Sequence, residues 1–182
     1  MRYYLVALFD EDSYKNIEPL QKNICRKFKI GRNIPSLHIP LEAIENPNID
    51  KLDELILDII KPYKKFKIEM GNDLYFNEPF KSFNLKVENK GYIKRLARTI
   101  ATDLRLHGFN IRALQSETED LFVSLAVQTS NRESNSLDIT AISNIYKTAE
   151  IQKLVKIDRI ELWKANGNKK ENIVKSYRLK TF

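Results

Sequence analysis

Hydrophobic and polar residues follow two spacings along the chain, and each spacing predicts a different kind of element. Apolar residues three and four positions apart, such as Ile17, Leu20 and Ile24, predict helices. Alternation, as in the segment around His38, and short apolar runs between charged residues predict strands. The predicted helices cover about 13–28, 50–60, 91–107 and 136–150. The predicted strands cover an N-terminal run between Arg2 and Asp10, then about 35–44, 64–76, 82–88, 120–128, 155–164 and 173–181.

Capping residues predict where some of these helices begin and end. Asp50 is placed to cap the helix over 50–60, and Pro62 follows its last turn. Gly108 is placed to end the third helix, since glycine readily adopts the left-handed backbone that terminates helices.

The order of elements repeats, which predicts the architecture. Helix, strand, helix, strand, strand occurs over 13–88 and again over 91–181, and the leucines of "SLHIPLEAI" align with those of "DLFVSLAVQ" 84 positions later. We therefore expect an α+β fold with two pseudo-symmetric αβ lobes. Their antiparallel-rich sheets would face a central cleft within a single bilobal domain, 1–182.

Composition is typical of a protein that folds in a reducing compartment. Cys25 is the only cysteine among 182 residues, so it cannot form an internal disulfide, and its apolar helical position predicts a buried side chain. The N-terminal apolar run is too short for a signal peptide, and no segment is long enough to span a membrane. We expect a cytoplasmic protein without membrane association.

Positive charge favours a polyanionic partner. The chain has 31 basic and 24 acidic residues, a net charge of +7, with basic clusters at 26–32, 61–67, 94–98 and near the C-terminus. Such a balance suits RNA or phosphorylated small molecules, although solvated surface lysines would produce the same count. No glycine-rich phosphate loop and no grouping of metal ligands is visible. We expect no cofactor and no metal.

Four residues on the two repeated strands would meet across the cleft. Side chains two positions apart on a strand share a face, so His38 lies with Pro40, and Phe122 lies with Ser124. A cleft with one imidazole and one hydroxyl from each side would suit phosphodiester chemistry. One imidazole accepts a proton, the other donates one, and the hydroxyls hold the phosphate oxygens.

At these strands the chain resembles the 2H phosphoesterase superfamily, which includes 2′-5′ RNA ligases and RNA 2′,3′-cyclic phosphodiesterases. That superfamily carries the motif His-x-Thr/Ser-apolar twice, and the corresponding segments are "LHIPL" (37–41) and "LFVSL" (121–125). "MRYYLVALF", "VKIDRIELWKA" and "VKSYRLKTF" resemble its first and closing strands, so the resemblance covers nearly the whole chain. It implies the bilobal fold and phosphoester chemistry on RNA ends.

Each motif departs from the superfamily pattern at one position. Pro40 stands where the first hydroxyl is expected, and Phe122 stands where the second histidine is expected. The resemblance thus implies His38 as the surviving acid or base and Ser124 as a phosphate ligand. Phe122 and Pro40 would line the cleft, with Phe122 either a stacking surface for a base or a plug.

Three functions follow from this incomplete motif set. The first is binding of RNA ends or nucleotide phosphates by a catalytically impaired protein. The second is an active RNA 2′,3′-cyclic phosphodiesterase that uses His38 with an unidentified second acid or base. The third is a non-catalytic interaction scaffold with a closed cleft, whose protein partners the sequence does not specify.

Other aromatic and charged residues have less distinctive positions. His107, at the end of the third helix, is predicted to complement the helix dipole. Trp163 and Tyr177, on the closing strands, are predicted to be core residues. Five further residues have the right chemistry to supply a second acid or base, and the sequence selects none of them: Tyr3, Tyr4, Tyr75, Arg112 and Lys164.

Overall fold

The computed structural model describes residues 1–30, 34, 36–77, 82–89, 91–112, 120–127, 153–165 and 172–181. Within these ranges the chain forms three helices and eight strands. The helices are α1 (Glu11–Lys27), α2 (Ile49–Ile60) and α3 (Gly91–Leu106). The strands are β1 (Arg2–Phe9), β2 (His38–Glu45), β3 (Phe66–Asn77), β4 (Ser82–Asn89), β5 (Asn110–Arg112), β6 (Phe122–Val127), β7 (Leu154–Lys164) and β8 (Asn172–Arg178).

The element order confirms the predicted α+β class, with two differences. The helix α2 is capped by Asn48 rather than Asp50, because the Asn48 side chain accepts a hydrogen bond from the Lys51 amide at 3.1 Å. The short strand β5 lies between the predicted helix over 91–107 and the predicted strand over 120–128, where the sequence predicts no element, and it pairs with β2. The predicted helix over 136–150 lies outside the described residues, so the internal repeat stays a prediction.

The named strands pair in antiparallel fashion, and their pairings close a ring. The order is β1-β2-β6-β4-β3-β7-β8, with β5 beside β2 and a further pairing between β1 and β7. β1 therefore lies between β2 and β7. On their other edges, β2 pairs with β6 and then β5, while β7 pairs with β3 and then β8.

Alternation along the strands separates two faces of the sheet. Leu5, Ile39 and Val123 are buried in the main core together with residues of all three helices. Their strand neighbours, among them His38 and Ser124, are half-buried and point to the opposite face. We call this opposite face the site face.

Local hydrogen bonds mark the beginning of α1 and the end of α3. Asp10 caps α1 by accepting a hydrogen bond from the Ser13 amide at 2.9 Å. Gly108 has φ +77°, and its amide donates to the Arg105 carbonyl, which confirms the predicted end of α3.

Cys25 is buried, as predicted, and burial raises the pKa of its thiol. No helix in the described ranges is both long and apolar enough to cross a membrane.

Candidate functional site

Strand register places His38 directly opposite Ser124. These two residues are Cα partners in the β2–β6 pairing, and Ser124 is also the partner of Asn84 on β4. Asn84 in turn is opposite Tyr75 on β3. Directly opposed residues in antiparallel strands have side chains on the same face, about 4.5–5.5 Å apart at Cβ. An imidazole, a hydroxyl, an amide and a phenol therefore follow one another across four strands.

The same line continues from His38 in the other direction. Leu8 on β1 is opposite His38, Arg159 on β7 is opposite Leu8, and Arg178 on β8 is opposite Arg159. The line ends in two arginines, and it crosses seven strands of the site face. We call it the cross-strand row; its members are Tyr75, Asn84, Ser124, His38, Leu8, Arg159 and Arg178.

Pro40 and Phe122 lie beside this row on the same face. Pro40 is two positions from His38 and opposite Val6. Phe122 is two positions from Ser124 and opposite Lys86. Both are half-buried, so all four residues of the two motifs lie together on one face of one sheet.

The imidazole of His38 is held at one nitrogen. Its Nδ1 lies 2.6 Å from the carbonyl oxygen of Ser36. Because a carbonyl oxygen only accepts, Nδ1 carries a hydrogen and donates it. In the neutral imidazole, Nε2 is then the nitrogen that carries the basic lone pair.

Trp163 is a buried core residue, as predicted, and it lies against His38 on the site face. The two ring centroids are 4.7 Å apart, with an interplanar angle of 60°. Trp163 is buried, but it packs with Val6 and Leu8 in a small cluster on the site face. Adjacent residues of a strand point to opposite faces, and Leu162, next to Trp163 on β7, points into the main core. Tyr177 does lie in the main core, as predicted.

Glu161 and Arg159 belong to the site face, and the sequence interpretation missed both. Glu161 is only 4% exposed, and its carboxylate accepts hydrogen bonds from Trp163 Nε1 at 2.7 Å and Arg159 Nε at 2.8 Å. A third donor, Ser176 Oγ, lies at 3.4 Å. The signal that could have found them is the phase of "DRIELWK", which puts residues 159, 161 and 163 on one side of the strand.

Phe122 packs against Tyr75, one of the five residues with suitable second-site chemistry. Their ring centroids are 4.8 Å apart at 61°, an edge-on contact. The Tyr75 hydroxyl is buried and has no hydrogen-bond partner within the described part of the chain. Burial, with a smaller contribution from Asp120, raises the pKa of Tyr75 well above the ordinary tyrosine range, so this phenol stays protonated.

Of the other candidates, strand register places Tyr4 and Arg112 on the site face, since both are aligned with Ala43 of β2. Tyr4 packs against the Trp163 cluster, whereas Tyr3 is in the main core and Lys164 is its strand partner. Arg112 is exposed, with Nε 3.4 Å from Glu45 Oε1. Only Tyr75 adjoins a motif residue of β6.

His107 lies at the C-terminal end of α3, in the role that the sequence suggested. Its Nδ1 lies 2.8 Å from the carbonyl oxygen of Asp103, in the last turn of the helix. The residue is exposed.

Within the described ranges, no three His, Cys, Asp or Glu side chains are grouped to hold a metal ion.

Solved structures with the same arrangement of elements identify the fold. Escherichia coli LigT in complex with NADP+ superposes with a TM-score of 0.62 at 13% sequence identity, covering 99% of this chain and 98% of LigT. The chain has the fold of LigT. TT0787 of Thermus thermophilus matches with a TM-score of 0.60 at 14% identity, covering 100% of this chain and 99% of TT0787. Usb1 of Kluyveromyces marxianus matches with a TM-score of 0.56 at 14% identity, covering 98% of both chains.

The fold that the resemblance to the 2H phosphoesterase superfamily implied is the fold observed, since the chain superposes on LigT over nearly its whole length. Sequence comparison alone does not reach it, since no protein-family model matches the chain and no curated protein sequence matches it significantly. At 12–14% identity the likeness to LigT, TT0787 and Usb1 establishes the fold. The roles of individual residues have to be argued from the site itself.

Proposed function

We propose that this chain binds the phosphate of an RNA end or of a nucleotide on its site face, as a 2H phosphoesterase-like protein with impaired catalysis. One observation carries the proposal. His38 and Ser124 come from strands 84 positions apart in the motif repeat, yet the β2–β6 register makes them direct partners. An imidazole and a hydroxyl so placed can contact two oxygens of one phosphate group.

Charge and the neighbouring structures support an anionic ligand. Arg178 ends the cross-strand row beyond His38, and the chain as a whole carries a net charge of +7. Arg159, between them, is already ion-paired with Asp158 and Glu161. LigT, with which this chain shares its fold, has been crystallised with phosphate, with 3′-AMP and with NADP+. A phosphate-bearing ligand is the common feature of these complexes.

Phe122 is the reason to propose impaired catalysis. Phosphodiester cleavage by two histidines needs one to accept a proton and the other to donate one, and a phenylalanine ring does neither. Loss of one such group slows a reaction by about 10²–10⁴-fold. Residual turnover at that level is the expected result for the wild-type protein.

The binding proposal is tested by titration with 3′-AMP and with an oligonucleotide that ends in a 3′-phosphate. His38→Ala should weaken both affinities about tenfold, since a hydrogen bond to a charged group contributes about 1.5–3 kcal/mol. Ser124→Ala should weaken them about fivefold. His107→Ala is the matched control, because it removes the other histidine at an exposed helix end. No measurable affinity at low salt would refute the proposal and would leave the closed scaffold as the better hypothesis.

Tyr75 keeps the active phosphodiesterase open as a second candidate. Its buried hydroxyl carries a proton next to Phe122, where the second histidine is expected. Turnover of a 2′,3′-cyclic-phosphate oligonucleotide distinguishes the two candidates. Impaired catalysis predicts slow wild-type turnover that rises in Phe122→His. Efficient wild-type turnover, abolished by either His38→Ala or Tyr75→Phe, would favour the enzyme.

A further inference from the structure

Glu161 is a buried carboxylate on a face that we propose binds anions. At 4% exposure it would repel a phosphate unless its charge were compensated. Both of its oxygens are engaged within the protein. Oε2 accepts from Trp163 Nε1 at 2.7 Å, and Oε1 accepts from Arg159 Nε at 2.8 Å with Ser176 Oγ at 3.4 Å. The carboxylate is therefore part of the framework that holds Trp163.

Trp163 has its orientation set by two kinds of contact. The hydrogen bond to Glu161 fixes the indole N–H, and Val6 and Leu8 pack around the ring. The ring contacts the imidazole of His38, with centroids 4.7 Å apart. Since the Ser36 carbonyl already binds Nδ1 of that imidazole, the His38 ring is held both at one nitrogen and along one side.

We propose that Glu161 is a positioning residue for His38 and acts on it through the indole of Trp163. Its effect on ligand affinity rests on the proposed function, whereas the contact between the indole and the imidazole exists in the free protein. Trp163 is also the only tryptophan of the chain. A protonated imidazole interacts with an indole ring as a cation and quenches its emission more strongly than the neutral form. Tryptophan fluorescence therefore reports the protonation of His38.

The groups around the indole allow this signal to be assigned. Glu161 and Arg159 lie beside it on β7, Tyr4 faces it from β1, and Arg178 belongs to the adjoining strand β8. Carboxylates ordinarily titrate below pH 5, and tyrosine and arginine well above pH 8. The groups that ordinarily titrate between pH 5 and 8 are histidines and the α-amino group, and of these His38 is the one in ring contact with Trp163.

The first experiment is a fluorescence titration of the free protein from pH 5 to pH 8. Wild type should show one step, with stronger emission at the higher pH. His38→Gln should abolish the step, and His107→Gln, the matched control, should leave it unchanged. A flat wild-type titration, or a step that survives in His38→Gln, would overturn the contact on which the proposal depends.

The second experiment tests positioning with the 3′-phosphate oligonucleotide. Glu161→Gln keeps one acceptor oxygen and replaces the other with an N–H₂ group, so Trp163 Nε1 and Arg159 Nε no longer both find an acceptor. Trp163→Phe keeps an aromatic ring while removing the indole N–H. Each should weaken binding about three- to tenfold, and the double variant should be no weaker than either single variant, because both break one link. Tyr177→Phe is the control, since it changes a buried aromatic residue on the core side of β8.

The two experiments separate failure of the positioning proposal from failure of the proposed function. Additive losses in the double variant, or wild-type affinity in Glu161→Gln, would overturn positioning while leaving the binding site intact. If the wild-type protein binds no oligonucleotide, the proposed function fails. In that case a fluorescence step of unchanged size in Glu161→Gln would also refute the positioning role. Trp163→Phe provides the affinity test if Glu161→Gln does not fold.

Discussion

At the scale of single residues, Tyr75 has a buried hydroxyl that finds no hydrogen-bond partner in the described part of the chain. A buried hydroxyl without a partner costs about 1–3 kcal/mol, and native structures rarely keep one without a reason. The group is buried in edge contact with a ring that can accept no ordinary hydrogen bond. A histidine in place of Phe122 would offer an acceptor on that side.

Removing this hydroxyl should stabilise the protein. Tyr75→Phe is expected to raise the free energy of unfolding by about 1 kcal/mol, because the aromatic packing remains and the desolvated group is lost. Tyr92→Phe is the control, since Tyr92 is 40% exposed and its substitution should change stability by less than about 0.5 kcal/mol. Urea unfolding monitored by circular dichroism measures both. Destabilisation by Tyr75→Phe would mean that the hydroxyl has a partner after all.

The same residue should make stability fall at high pH. Burial raises the pKa of Tyr75 and of Tyr177 in the folded protein. Above about pH 10 the unfolded chain releases these protons while the folded chain retains them, so the unfolded state is favoured. Ionisation of these two tyrosines should leave the free energy of unfolding constant below about pH 10 and lower it above that pH. The decline should be shallower in Tyr75→Phe, and an equal decline in both proteins would contradict the burial of this phenol.

At the scale of elements, the N-cap of α2 was predicted at the wrong residue. Both Asn48 and Asp50 have side chains that can cap a helix, and the apolar pattern does not say which turn comes first. The structure uses Asn48, whose side chain bonds the Lys51 amide, and leaves Asp50 within the first turn. Asn48→Ala should cost about 1 kcal/mol of stability and Asp50→Ala less than half of that. Thermal unfolding measures both variants. A larger loss of stability in Asp50→Ala than in Asn48→Ala would mean that Asp50 is the cap, as the sequence suggested.

Two glycines flank α3 and can be compared: Gly91 is its first residue, and Gly108 follows its last turn. No described atom lies within 4 Å of a Cβ added at either Gly91 or Gly108, so space does not distinguish them. Conformation does, since only Gly108 has a positive φ, +77°. Gly108→Ala should destabilise by about 1–2 kcal/mol, whereas Gly91→Ala should be neutral or stabilising by up to about 1 kcal/mol. Equal effects would show that α3 does not depend on the left-handed residue at its end.

At the scale of the whole molecule, the sequence predicted much of the fold and only part of the site. Hydrophobic spacing located most helices and strands, and the period of two placed His38 with Pro40 and Phe122 with Ser124. It could not predict that His38 and Ser124 are direct partners, because register between distant strands depends on packing of the complete sheet. Trp163 is buried, as predicted, but the sequence did not show on which side of the sheet, because a closed ring of strands has two buried faces.

The cross-strand row also predicts how binding should depend on salt and on ligand length. Arg178 lies at the end of the row on an exposed position of β8, where it can reach a phosphate further along an RNA strand. Each phosphate contact contributes about 0.7 to the slope of log affinity against log salt for single strands. Arg178→Ala should reduce that slope by about 0.7 for an oligonucleotide and leave it unchanged for 3′-AMP.

Arg105→Ala is the matched control for this prediction. It lowers the net charge by the same amount, but Arg105 is exposed in the last turn of α3, on a helix that packs against the core side of the sheet. Affinities measured at several salt concentrations should therefore separate the two variants. Equal reductions would mean that binding follows net charge alone. A slope unaffected by Arg178→Ala would exclude a phosphate contact at this end of the row.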